Sequence, residues 1–132
     1  MQDAEQTGRR ALPIIRVAML AGVVLFGAVA IYLARSGVVG PLDDRVLQTL
    51  RMAFMVVLGV VAIAMYLFRR RRRLLSNDED PTAINIIGWA LGESVAFFGG
   101  VLLMVSGDIT YFLVGFVMML VSFVFFPIPP DG

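Results

Sequence analysis

Four long apolar blocks, fenced by arginines, acids or prolines, leave this chain few folds to choose from. Residues 17–34 lie between Arg16 and Arg35, and residues 52–68 lie between Arg51 and the arginines 69–73. A third block covers 84–105, and a fourth, 109–126, is closed by Pro127, Pro129 and Pro130. Each approaches the ~20 residues that a helix needs to cross ~30 Å of hydrocarbon. Lipid offers backbone groups no partner, so such blocks are read as helices, which pair their own N–H and C=O groups. Composition agrees: 59% of the residues are hydrophobic and the mean hydropathy is +0.87, well above a soluble domain. The expected fold is an all-α integral membrane protein with four transmembrane helices. Its spans fall at about 14–35, 45–69, 82–105 and 109–126, in one domain over 1–132.

Charge placement orients the bundle. All eleven basic residues are arginine. Arg9, Arg10, Arg16, Arg69, Arg70, Arg71, Arg72 and Arg73 fall on one side of the spans; Arg35, Arg45 and Arg51 fall on the other. The positive-inside rule puts both termini and the arginine-rich loop 69–80 in the cytoplasm, here of a bacterial inner membrane. The arginines 69–73 are also expected to set topology and to bind lipid headgroups, anionic ones in particular, with docking onto an acidic face of a partner as the alternative. Nucleic acid is not expected as a partner. Asp43, Asp108 and the pair Asp80-Pro81 are placed to start spans two, four and three. Tyr32, Tyr66, Trp89 and Tyr111 fall in the outer thirds of their spans, where an aromatic belt would lie.

Small residues recur at close-packing spacing. Span three carries Gly88-xxx-Gly92 and then Gly99 and Gly100; span one carries Ala18-xxx-Gly22 and then Gly27. Such stripes let helix backbones approach where lipid removes the hydrophobic drive, either within the bundle or toward other subunits. Spans one and three also align, residues 23–29 over 95–101, which raises the expectation of two duplicated hairpins.

Glu93 is the only charge in the third block. A carboxylate at mid-bilayer costs at least ~2.5 kcal/mol, so such a residue is expected to be paired, protonated or used. A neutral acid donating a hydrogen bond is expected, with Ser94, Trp89 and Ser122 as neighbours. Trp89 precedes Glu93 by one turn on the same face, so its ring is expected to shield the acid from lipid.

The segment Trp89-Ala90-Leu91-Gly92-Glu93, the turn Gly107-Asp108 and the final apolar helix before Pro127 resemble a pattern in small uncharacterised bacterial four-helix membrane proteins. That resemblance covers all four spans and implies no activity. Residues 90–99, ALGESVAFFG, also resemble the ion-binding helix of rotary ATP synthase c subunits, the proteolipids. This implies an ion-carrying role for Glu93, with Ser94 as its nearest polar neighbour. The chain departs from c subunits in lacking their glycine-repeat first helix and Arg-Gln-Pro loop. Length, helix number and a single buried Glu are also similar to the small multidrug exporters, whose Glu lies in the first helix.

With no His and no Cys, imidazole-ligated haem, iron–sulfur centres and thiol chemistry have no ligands here. No nucleophile–base pair, metal-ligand cluster or phosphate loop is present in the pattern. The chain is therefore read as neither an enzyme nor a cofactor carrier. The favoured expectation is a small structural or accessory subunit of a larger bacterial membrane complex, respiratory, photosynthetic or otherwise bioenergetic. Other membrane subunits, identical or different, are its expected partners. The alternative is a proteolipid-like or small-transporter protein moving protons or cations through Glu93.

Overall fold

In a computed structural model of the chain, residues 2–38, 40, 42–75 and 82–127 are described, with side chains from Arg10 onward. The fold is all-helical: α1 (Gln2–Ser36), α2 (Asp44–Arg73), α3 (Thr82–Ser106) and α4 (Thr110–Phe125). Three of these, α1 from Arg10, α2 and α3, are long and apolar enough to cross a membrane, as expected of a multi-pass membrane protein. With 16 residues, α4 is about 24 Å long and falls short of the hydrocarbon thickness by itself.

Local sequence explains most boundaries. α1 begins well before the expected residue 14 because residues 2–12 are mostly good helix formers, and Pro13 is absorbed inside it at the loss of one backbone bond. It ends at Gly37, whose φ of 70° is the left-handed conformation that glycine adopts freely. Asp43 caps α2 by accepting from the Arg45 N–H at 3.4 Å. At 30 residues, α2 is about 45 Å long, so its arginine end outlasts the apolar layer. Asp80 and Pro81 lie outside the described residues. Gly107, with φ 73°, ends α3, and Asp108 Oδ1 accepts from the Thr110 N–H at 2.9 Å to open α4.

α3 is the axis of the molecule and touches every other helix. Its tightest partner is α4, joined through a glycine seam. A Cβ on Gly92 would meet Met119 Cα at 2.9 Å, one on Gly99 would meet Tyr111 O at 2.4 Å, and one on Gly115 would meet Val95 O at 2.6 Å. Only glycine allows this approach. α1 runs parallel to α3: Arg16 lies over Trp89, and Phe26 packs on Phe97 at 5.0 Å and against Gly100. α2 runs antiparallel to α3, with Phe54 wedged between Phe98 at 5.7 Å and Tyr111 at 5.4 Å. The N-terminal half of α1, the arginine end of α2, the start of α3 and the end of α4 thus share one end of the bundle.

The packing bears on two of the expectations. Among the described residues the backbones of α1 and α2 do not approach one another, so α3 and α4 form a zipped hairpin with two flanking helices. Among the described residues, glycines bring backbone against backbone between α3 and α4. Ala18 is exposed and Gly22 faces open space, although Gly27 of the same stripe packs under the Phe112 ring. Identical spacing in span one therefore serves a different surface from Gly88 and Gly92, which meet Phe126, Ser122 and Met119 of α4.

Candidate functional site

The geometry around Glu93 follows from which faces of α3 are taken. Gly88, Gly92, Val95 and Gly99 point at α4, Phe97 and Gly100 at α1, and Phe98 at α2. Ala83, Ile87, Ala90, Ser94 and Val101 form a strip at helical spacing that no other helix covers. Glu93 stands at the α1 edge of that strip, half-buried near the midpoint of α3. The register places it beside α1 between Arg16 and Phe26, where residues 17–25 offer no polar side chain. Among the described residues, none hydrogen-bonds or ion-pairs with the Glu93 carboxyl.

Its expected neighbours are engaged elsewhere. The Ser94 hydroxyl donates to Leu91 O at 2.7 Å, and the buried Ser122 hydroxyl donates to Met119 O at 2.5 Å. Each bonds a carbonyl three residues back in its own helix, which takes up the donor. Trp89 is fully buried, so it neither joins an interfacial belt nor screens Glu93 from lipid. Its indole Nε1–H donates to Phe126 O at 2.9 Å and its ring stands edge-on to Phe123. Tyr32 and Tyr66, by contrast, are well exposed.

A second cluster, at the end of α4, was not visible in the sequence. A helix terminus leaves carbonyls without intrahelical partners, and in an apolar medium each needs a donor. Phe126 N–H closes on Ser122 O, and the proline-rich segment beyond cannot extend the helix. The other three helices supply the rest. Arg16 of α1 donates to Phe123 O, with its guanidinium 4.7 Å from the Phe123 ring centre and 5.6 Å from that of Trp89. Trp89 of α3 takes Phe126 O. Arg72 of α2 donates to Pro127 O at 2.9 Å, and Asn85 Nδ2 reaches the same carbonyl at 3.4 Å. Cations here also suit the negative end of the α4 dipole. The clue in the sequence was Arg16 itself, a lone cation flanked by Ile14, Ile15 and Val17.

Among the described residues, Asn85 Oδ1 and Arg51 Nε are buried without a hydrogen-bond partner. Of the arginine run, Arg69 stacks on Phe125 at 4.3 Å and Arg72 is bonded as above, whereas Arg70, Arg71 and Arg73 are exposed. At the far end, Asp108 is held below the ordinary aspartate range, chiefly by hydrogen bonds from Thr110. Among the described residues no group of acids is arranged to hold a metal ion. Comparison of the chain with known protein families, with curated proteins and with solved structures finds no match.

Proposed function

We propose that this chain is a small accessory subunit of a larger bacterial membrane assembly of bioenergetic type, crossing the inner membrane four times with both termini in the cytoplasm. α4 completes the fourth crossing despite its length, because its final carbonyls are already bonded by side chains of the other helices. The observation that carries the reading is the uncovered α3 strip with Glu93 at its edge. A charged carboxylate in hydrocarbon costs at least ~2.5 kcal/mol, and among the described residues none donates to this one. A neighbouring subunit that brings a donor to that strip removes the cost.

Native mass spectrometry of the complex, extracted in mild detergent, tests this. The chain should leave the membrane bound to other subunits. Glu93→Gln should keep the association and Glu93→Leu should weaken it, since only Gln preserves hydrogen bonding. Recovery of a monomer alone, unaffected by either substitution, would overturn the reading.

The same observation favours a second reading, in which an acid not tied down by its own chain exchanges a proton or cation, as in the proteolipids that residues 90–99 resemble. A carbodiimide would then label Glu93, coupling ions would protect it, and Glu93→Gln would abolish transport while leaving assembly intact.

A further inference from the structure

At the arginine end of the bundle a cleft of about 460 Å³ opens between α2 and α4, lined by Tyr66, Arg69, Arg70, Arg73 and Phe125. The four α2 residues stand at i, i+3, i+4 and i+7, so they project from one face of the helix. Three guanidiniums therefore converge within about 6 Å of helix rise. Among the described residues, no carboxylate pairs with any of them. Such a convergence is electrostatically unfavourable unless an anion sits in it. Arg69 is already oriented by its stack on the Phe125 ring at 4.3 Å, which lowers the cost of fixing its planar fork on an oxyanion.

The walls of the cleft are not uniformly polar. Tyr66 lies one turn toward the apolar part of α2 and is 62% exposed, with Ile63 exposed beyond it and Val124 exposed on the α4 side. A ligand that fills the site thus has an anionic head for the arginines, a polar junction for the phenol, and an apolar tail for the surface above. Inorganic phosphate satisfies only the first of these.

We propose that this cleft is a specific binding site for the phosphate headgroup of an anionic phospholipid. Arg69, Arg70 and Arg73 hold the phosphate oxygens, Tyr66 meets the glycerol–ester level, and the acyl chains run along Ile63 and Val124. The other arginines of the run have different duties: Arg72 is committed to Pro127 O, and Arg71 lies outside the cleft. The site rests on the membrane reading of the chain but not on any partner subunit, so the two proposals fail independently.

The test is lipid binding by native mass spectrometry of the purified full chain, with phosphatidylglycerol and phosphatidylcholine offered in equal amounts. The wild type should retain phosphatidylglycerol in preference. Arg70→Gln and Arg73→Gln change exposed residues and should leave the fold intact by circular dichroism, yet each should weaken that binding about fivefold. Arg71→Gln removes the same charge from the same run and should change it little. Equal losses in Arg71→Gln and Arg73→Gln would overturn the site, placing the affinity on the diffuse charge of the run. So would an absence of lipid preference. Displacement of the lipid by inorganic phosphate at equal concentration would overturn the lipid assignment, because the apolar walls would then contribute nothing.

Discussion

The α3–α4 hairpin and the two helices beside it are built on opposite principles. Half of the most apolar window of α3 is buried, against 17% in both α1 and α2. α3 and α4 meet backbone to backbone through Gly92, Gly99 and Gly115; α1 and α2 reach α3 through long side chains such as Phe26 and Phe54. In lipid, where apolar burial gives no net drive, close van der Waals approach and hydrogen bonding decide which helices hold together. The hairpin has both. The flanks have aromatic contacts and a few donors, and they leave a strip of α3 open between them. The lesson is that the closely packed hairpin carries the acid, and the flanking helices leave the strip beside it open.

The largest effect should come from forcing the seam apart. Gly99→Leu puts a branched side chain into the Tyr111 carbonyl and should lower stability in bicelles by about 1–3 kcal/mol or more. Gly22→Ala meets nothing within 4 Å and should be neutral or stabilising by about 0.5–1 kcal/mol, the intrinsic helix preference. A comparable cost for both would remove the distinction between hairpin and flank.

Next in size are the donors that bring the helices onto the end of α4. Trp89→Phe leaves Phe126 O buried without its partner, a cost of about 1–3 kcal/mol. Arg16→Ala loses both a carbonyl bond and two ring contacts, about 2 kcal/mol. Arg35→Ala, on an exposed residue of the same helix, should be silent in the same unfolding assay. Trp89 is the only tryptophan, so its emission reports the cluster directly. It should be blue-shifted, inaccessible to aqueous quenchers, and red-shifted in Arg16→Ala.

Glu93→Leu sharpens the comparison from the other side. In the isolated chain it should stabilise by about 1 kcal/mol or more, since it removes a polar group with no donor. In native membranes the same change should weaken assembly. A loss of stability in the isolated chain would mean that the carboxyl is held by its own bundle.

The smallest effect lies at the α3–α4 turn. Because hydrogen bonds from Thr110 hold the Asp108 carboxyl below its ordinary value, the contribution is present above the ordinary aspartate range, near pH 4, and is lost as pH falls through the depressed folded value. The stability difference between wild type and Asp108→Asn should follow that sign and vanish in strong acid.

Much of the fold was legible because apolar blocks and their arginine fences are one-dimensional signals. All four helices lie where the blocks are, and α2 runs unbroken through the arginines 69–73. The N-terminal extension of α1 was missed because a polar, helix-forming stretch carries no apolar signal. Pairings were not legible. Ala18-xxx-Gly22 and Gly88-xxx-Gly92 read alike, yet only the second faces a helix, because a stripe does not say what lies opposite. The position of Trp89 near a span end suits an interfacial residue, but its indole N–H is bonded to the end of α4. In the sequence Arg16 is a topology signal, whereas its reach into the bundle depends on where α4 stops.

Disulfide mapping in native membranes tests the central arrangement most directly, and the chain has no cysteine of its own to interfere. Phe26→Cys with Phe97→Cys should cross-link within one chain, directly or through a short bis-thiol reagent that replaces the reach of the two rings. Pairs placed across α1 and α2 at matching depth, such as Gly22→Cys with Val60→Cys, should stay reduced. Efficient intramolecular cross-linking of the α1–α2 pairs would close the gap over α3 and contradict the account.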